Sequence, residues 1–290
     1  GPVVLGYLCS YLWLCIGPYL IWRFDQRAFA SFRTSLTTRV AQDGNAETIV
    51  AACARLFRRW SLLAALPWAV FNTFVWASTS VASNRMGLHG LSDPLWWLGV
   101  AAAAWAGVLT GIGFFGVILA IVAIAKTARC SIVLEPLHED NHGGLGCFGD
   151  FAIVTTLMFS TGALFLPMIL AGIGPSPEML PCVYLMMGLF SGFVMLSFLA
   201  PVYIVHRHAV KARNEQVSGL VGKYRSLSSS SAGTDASTRD ITSQFMELTM
   251  AYWERAEYGR LRLYPVDVDT LLKLTLSVFL PFLLFFLNRA

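Results

Sequence analysis

Apolar residues in this chain fall into blocks of about 20, the length a helix needs to cross a hydrocarbon core of roughly 30 Å. There are six such blocks: residues 3–22, 61–82, 96–125, 152–175, 183–206 and 268–287. The second is diluted by Asn72, Thr73, Ser78, Thr79 and Ser80. The third is long enough that it must tilt or project beyond the bilayer. The pattern predicts an all-α integral membrane protein, a single membrane domain over 1–290 with six transmembrane helices. Residues 3–22 lack the basic start and small-residue cleavage site of a signal peptide and run into Arg23, so this span is expected to be retained.

The connectors are of two kinds. Segments 83–95 and 176–182 are short and together hold one basic residue, Arg85, whereas 23–60, 126–151 and 207–267 hold seven, two and nine. Lys and Arg collect on the cytoplasmic side of a membrane, so the three basic connectors are predicted inside and both termini outside, in a prokaryotic inner membrane. Within 24–42, Phe24, Ala28, Phe32, Leu36 and Val40 recur at helical spacing. Asp43-Gly44-Asn45 signals a turn, with Asn45 as helix N-cap. The first two spans are thus expected to continue inward as antiparallel helical arms. In 207–267 the fifth-span helix is expected to reach about Tyr224. Ser-rich 226–237 reads as a linker and 238–258 as a helix that Tyr264-Pro265 breaks, with Asp267 or Asp269 capping the sixth span. These segments form a predicted cytoplasmic helical layer.

Composition agrees: 56% of the 290 residues are hydrophobic and 13% charged, mean hydropathy is +0.61, and the formal charge is +4. An ordinary soluble domain carries about 25% charged residues. Of six cysteines, only Cys182 is predicted outside, so free thiols are expected rather than disulfides.

The densest polar chemistry is the loop from Glu135 to Asp150. Three readings of it stand side by side. His138, Asp140 and His142, near Cys130 or Cys147, are residue types that ligate metals, although their spacing matches no strong zinc signature. Gly144, Gly146 and Gly149 spell GxGxxG, but a dinucleotide fold needs a preceding strand, and here a membrane span follows. What survives of that idea is an anion held by the amides of Gly143, Gly144 and Gly146 at the start of the fourth span. The third reading is a compact turn packed under the bundle, with glycine supplying positive φ.

The string Pro136-Leu137-His138-x-Asp140-x-x-Gly143-Gly144-Leu145-Gly146 resembles a cytoplasmic loop of uncharacterised prokaryotic multi-span membrane proteins. The Tyr-Pro followed by a Pro-containing apolar helix at the chain's end resembles theirs as well. Glu139 stands where that pattern has Pro. The resemblance implies membrane topology and no established activity.

Polar groups inside spans tend to face protein or water. Thr270, Lys273 and Ser277, with Asp269 beside them, form one stripe of the sixth span and are the predicted pore-lining residues. For Lys273 the alternative is snorkelling to the interface. Thr155, Thr156, Ser160 and Thr161 make a patch in the fourth span. Gly107-x-x-x-Gly111 and Gly188-x-x-x-Gly192 permit close helix contact, within one bundle or between copies. Arg55, Arg58 and Arg59, with Arg207, Lys211 and Arg213, are expected to form a positive layer that anchors to anionic headgroups or takes an anionic nucleotide or oligonucleotide. No buried carboxylate run, HExxH or Walker string occurs, so no catalytic residue and no cofactor is assigned. The function expected is an oligomeric channel gated from its cytoplasmic layer. Prokaryotic defence effectors supply the architectural analogy. A receptor or scaffold, and a metal-dependent membrane enzyme using the His138–Asp150 loop, are the alternatives.

Overall fold

The structure is a computed structural model. It describes residues 2–39, 45–78, 90–130, 134–135, 137–138, 140–162, 180–230 and 238–266, with Leu272 and Thr275. The regular secondary structure of the described residues is helical, with no strand among them. The helices are α1 (Pro2–Arg23), α2 (Phe29–Arg39), α3 (Asn45–Ser78), α4 (Pro94–Thr127), α5 (Gly146–Ser160), α6 (Leu180–Ser230) and α7 (Thr238–Arg260). A π-helical turn, Phe24–Ala28, joins α1 to α2, and a 3-10 turn, Gly90–Ser92, leads into α4. Among the described residues, Asn45–Ala77, Pro94–Thr127 and Phe190–Ser226 are long and apolar enough to cross a membrane. The described part of the predicted fourth span is the 15-residue α5, and residues 163–179 lie outside the described set.

Helix α4 is the centre of the bundle, because its sequence is apolar all round and rich in small residues. Its start is written locally: Asp93 caps it, accepting from Leu95 N at 2.9 Å, and Pro94 fills the first turn. Along α4, Gly107 and Gly111 face α3 so closely that a Cβ on Gly107 falls 2.5 Å from Trp68 O, and one on Gly111 falls 2.6 Å from Ala65 Cα. The Gly107-x-x-x-Gly111 motif therefore serves packing within one bundle. Gly188 and Gly192 differ: a Cβ on either meets nothing within 4 Å.

At one end of the bundle a single apolar cluster gathers parts of all three basic connectors. It contains Phe24, Phe29, Phe32 and Leu36, then Val50, Cys53, Ala120, Ala123, Ile124, Ala128, Leu134, Leu145, Cys147, Phe148, Phe151, Ala152, Val205, Ala209, Leu261 and Leu263. Phe151 sits at its middle, stacked on Phe32 at 4.4 Å and edge-on to Phe29 at 5.3 Å. Of the residues read at helical spacing, Phe24, Phe32 and Leu36 are buried and half-buried Ala28 packs against the cluster, while the π turn, with its extra residue, brings Phe29 into it as well. Within that turn, buried Asp25 accepts from Arg58 Nε of α3 at 2.7 Å. Arg33 of α2 pairs with Glu47, and together these two ion pairs tie the π turn and α2 to α3. The helical hairpin read from 24–60 is this unit.

Several expected boundaries move. Asn45 is already helical rather than a cap. Helix α6 runs on to Ser230, beyond Tyr224 and into the predicted linker, giving 51 residues. Helix α7 ends at Arg260, before Tyr264-Pro265, because Leu261 and Leu263 turn inward and are buried. The described cysteines Cys15, Cys53, Cys130 and Cys147 are free thiols.

Candidate functional site

The loop before α5 is organised around one carboxylate. Asp140 Oδ1 accepts from His142 N at 2.9 Å and Gly144 N at 3.1 Å, and Oδ2 accepts from Gly146 N at 3.0 Å. Burial pushes the Asp140 acid upward, but the amides of Gly144, Gly146 and His142 and the charge of His138 outweigh it and hold the group below its ordinary value. His138 Nδ1 lies 2.8 Å from Asp140 Oδ1 and 3.2 Å from Asp140 N. Protonated, it donates to the carboxylate; neutral at Nδ1, it accepts from the amide.

To bring three amides onto one side chain, the backbone enters the left-handed region three times: Asn141 (φ 54°), Gly143 (φ 68°) and Gly144 (φ 88°). Asn tolerates that region and Gly is indifferent to it. Gly146 is different, being the first residue of α5, with Asp140 Oδ2 3.0 Å from where its Cβ would stand. Gly143→Ala and Gly144→Ala should each lower stability by about 1 kcal/mol or more, while Asn141→Gly should be nearly neutral. Thermal melting of the purified variants checks this, and equal melting in all three would remove the constraint.

The second wall of the site comes from far along the chain. Arg262 N donates to Asn141 O at 3.2 Å, and His142 Nδ1–H donates to Arg262 O at 3.0 Å. A carbonyl only accepts, which fixes the proton on Nδ1 of His142. Tyr258 donates to Leu134 O at 3.2 Å, and burial, with the nearby Glu254 charge, pushes its phenol up so that it stays a donor. His206 of α6 stacks on Tyr264 at 4.0 Å and donates from Nδ1 to Leu263 O at 3.3 Å. Finally, Gly149 lies so close to the chain that a Cβ would be 1.9 Å from Pro265 O. Residues 258–266 are thus seated on the 134–149 loop.

This places the candidate residues in one picture. The amides of Gly144 and Gly146 already hold an anion, the chain's own Asp140. Both Asp140 oxygens face amides, His142 is turned to Arg262, and among the described residues no group of three or more His, Cys, Asp or Glu side chains is arranged for a metal ion. The compact turn is the arrangement observed. Of the basic residues, Arg58 is committed to Asp25, Arg59 lies 5.7 Å over Trp60, Lys211 pairs with Glu215 at 3.7 Å, and Arg55 and Arg207 are exposed. Half-buried Arg213 is on α6 with Arg207 and Lys211. No hydrogen bond or ion pair joins the α3 set to the α6 set among the described residues. Arg129, at the end of α4, adds its charge to those of Arg207 and Lys211 at His208, a contribution that linear sequence did not suggest. The stripe of Asp269, Thr270, Lys273 and Ser277 lies outside the described residues.

In the predicted fourth span, Thr155 bonds back to Phe151 O, and Ser160 to Leu157 O. Thr156 meets Ser197 of α6 at 3.1 Å, and Thr161 accepts from Trp13 Nε1 of α1 at 3.3 Å. The hydroxyls of Thr156 and Thr161 are helix-to-helix ties, and those of Thr155 and Ser160 are satisfied within their own helix. Compared with known proteins, the chain matches no family model, no curated protein and no solved structure.

Proposed function

We propose that the chain is a six-span protein of a prokaryotic inner membrane, both termini outside, that works as an oligomeric channel controlled by its α6–α7 arm. The observation that carries this reading is the seat of residues 258–266 on the 134–149 loop. That segment joins the arm to the predicted sixth span, whose Asp269, Thr270, Lys273 and Ser277 are the proposed pore face. A linker held by the bundle on one side and continuous with a span on the other transmits motion of the arm to the membrane. An anionic nucleotide or oligonucleotide on the Arg207–Lys211 face of α6 is the proposed signal. Loop and chain end resemble those of prokaryotic multi-span membrane proteins, in keeping with this placement.

Oligomerisation is supported by Gly188 and Gly192 of α6, where an added Cβ meets no described residue within 4 Å and a neighbouring helix could pack. Purified protein in liposomes should pass ions and have a mass of several subunits in detergent. Gly188→Ile with Gly192→Ile should return it to monomers and abolish flux. A monomer that conducts nothing, with or without polyanion, would overturn the proposal. The outward face of α7, with Phe245, Met246, Met250, Tyr252 and Trp253 exposed, favours a second reading as a receptor that signals through that helix. Flux separates the two.

A further inference from the structure

Within the apolar part of the bundle lies a cavity of about 440 Å³, walled by α1, α3, α4, α6 and the end of α5. Its size falls in the range of small-molecule sites, roughly 300–1,000 Å³. Aromatic rings form much of the wall: Phe114 stacks on Trp68 at 4.6 Å and meets Phe159 at 4.9 Å, and Phe159 meets Phe193 at 5.1 Å. No Lys, Arg, Asp, Glu or His is among its described lining residues. Two of its polar groups are engaged locally. Thr110 donates to Ala106 O, while Thr161 donates to Met158 O and accepts from Trp13. Asn72 lines the same space and has no hydrogen bond to any described residue.

An apolar space of this kind stays dry. The outward residues of the same helices, Leu66, Val70 and Phe74 of α3 and Ile118 of α4, are exposed and apolar, so hydrocarbon is the medium that surrounds the wall. A hydrocarbon chain entering the cavity gains close dispersion contacts with the rings. A charged headgroup cannot follow it, since no described lining group pairs with a charge. The Asn72 amide offers one donor group and one acceptor to a single oxygen.

We propose that this cavity binds a neutral single-chain lipid of the long-chain alcohol type, its hydrocarbon among the rings and its oxygen on the Asn72 carboxamide. The site rests on the membrane reading but not on conduction. The test uses the full chain in detergent and a long-chain alcohol carrying a photoactivatable diazirine in its tail, with labelled residues mapped by mass spectrometry. Label should concentrate on the lining residues Trp68, Asn72, Met158, Phe159, Phe190 and Phe193, and unlabelled long-chain alcohol should compete it away. Gly113 lines the cavity, and its Cβ would have only Phe159 nearby, at 3.6 Å. Gly113→Leu should therefore reduce labelling about tenfold, whereas Gly113→Ala should keep most of it. Asn72→Leu, which leaves the cavity open, should weaken capture of the alcohol while a hydrocarbon probe without oxygen labels as before. Should Gly113→Leu not fold, Asn72→Leu with the two probes decides. The inference is overturned by label spread over outward residues such as Val70 and Phe74. Equal capture of a phospholipid with the same tail, which would mark bulk lipid, overturns it too, as does alcohol labelling unchanged in Asn72→Leu. A protein that conducts without labelling loses this site and keeps the channel; one that labels without conducting does the reverse.

Discussion

Asp140→Ala should lower the stability of the purified protein by on the order of 3–5 kcal/mol, or prevent its accumulation altogether. The side chain holds the amides of His142, Gly144 and Gly146, and its own burial leaves little water to replace it. An amide stripped of its partner in such a place costs about 1–3 kcal/mol, and three are stripped together. Asp140→Asn should fall between, because its one remaining oxygen accepts and its NH2 now faces an amide donor. The same contacts set a pH dependence. The folded carboxyl is held below its unfolded value, so its contribution is complete above about pH 4 and is lost as pH falls through the lowered folded value. Melting followed from neutral pH down through that window should steepen in wild type and flatten in Asp140→Ala. Identical acid profiles would mean that the nest does not depend on the carboxylate.

Gly149→Ala should unseat the 258–266 segment. One added carbon falls 1.9 Å from Pro265 O and 3.0 Å from Val266 Cγ2, so a helix and a stretch of backbone must separate. Overpacking of this kind costs about 1–3 kcal/mol, more where backbone is the obstacle. The bonds of Arg262 to Asn141 and His142 would break with it. Hydrogen exchange at 258–266 should rise strongly, and protease sites at Arg260 and Arg262 should open. Gly188→Ala is the control: its Cβ meets no described residue within 4 Å, so exchange at 258–266 should not change. Equal protection in Gly149→Ala and wild type would show that the seat yields without strain.

These two sites differ in how far the chain announces them. At Asp140 the glycine turn was legible but the carboxylate was read as a metal ligand, although an Asp two and four residues before His142 and Gly144 can form an Asx-type turn. The predicted third span, 96–125, lies within α4, Pro94–Thr127, because its apolar block is unbroken, whereas the Asp93-Pro94 cap that starts the helix was not read. The seat was not legible, since the bonds that make it link positions 120 residues apart, and no local periodicity encodes such a pairing. The same holds for Tyr258 on Leu134 and Arg58 on Asp25. Buried Phe29 was missed for a different reason: a constant helical period cannot see a π turn that adds a residue to the inner face. The end of α6 was missed because serines discourage a helix only weakly, and residues up to Ser230 continue one already nucleated upstream.

The unbroken length of α6 gives the protein a lever. From its last fully buried residue, Ala209, to Ser230, the helix projects 21 residues, roughly 32 Å at 1.5 Å per residue. With the fulcrum at the apolar cluster, a tilt of about 5° at Ala209 carries the tip by ~3 Å, close to two residues of helical rise. Displacement is multiplied outward and force inward. A force applied near Ser230 would thus act on the bundle with a mechanical advantage that the same force near Arg207 lacks.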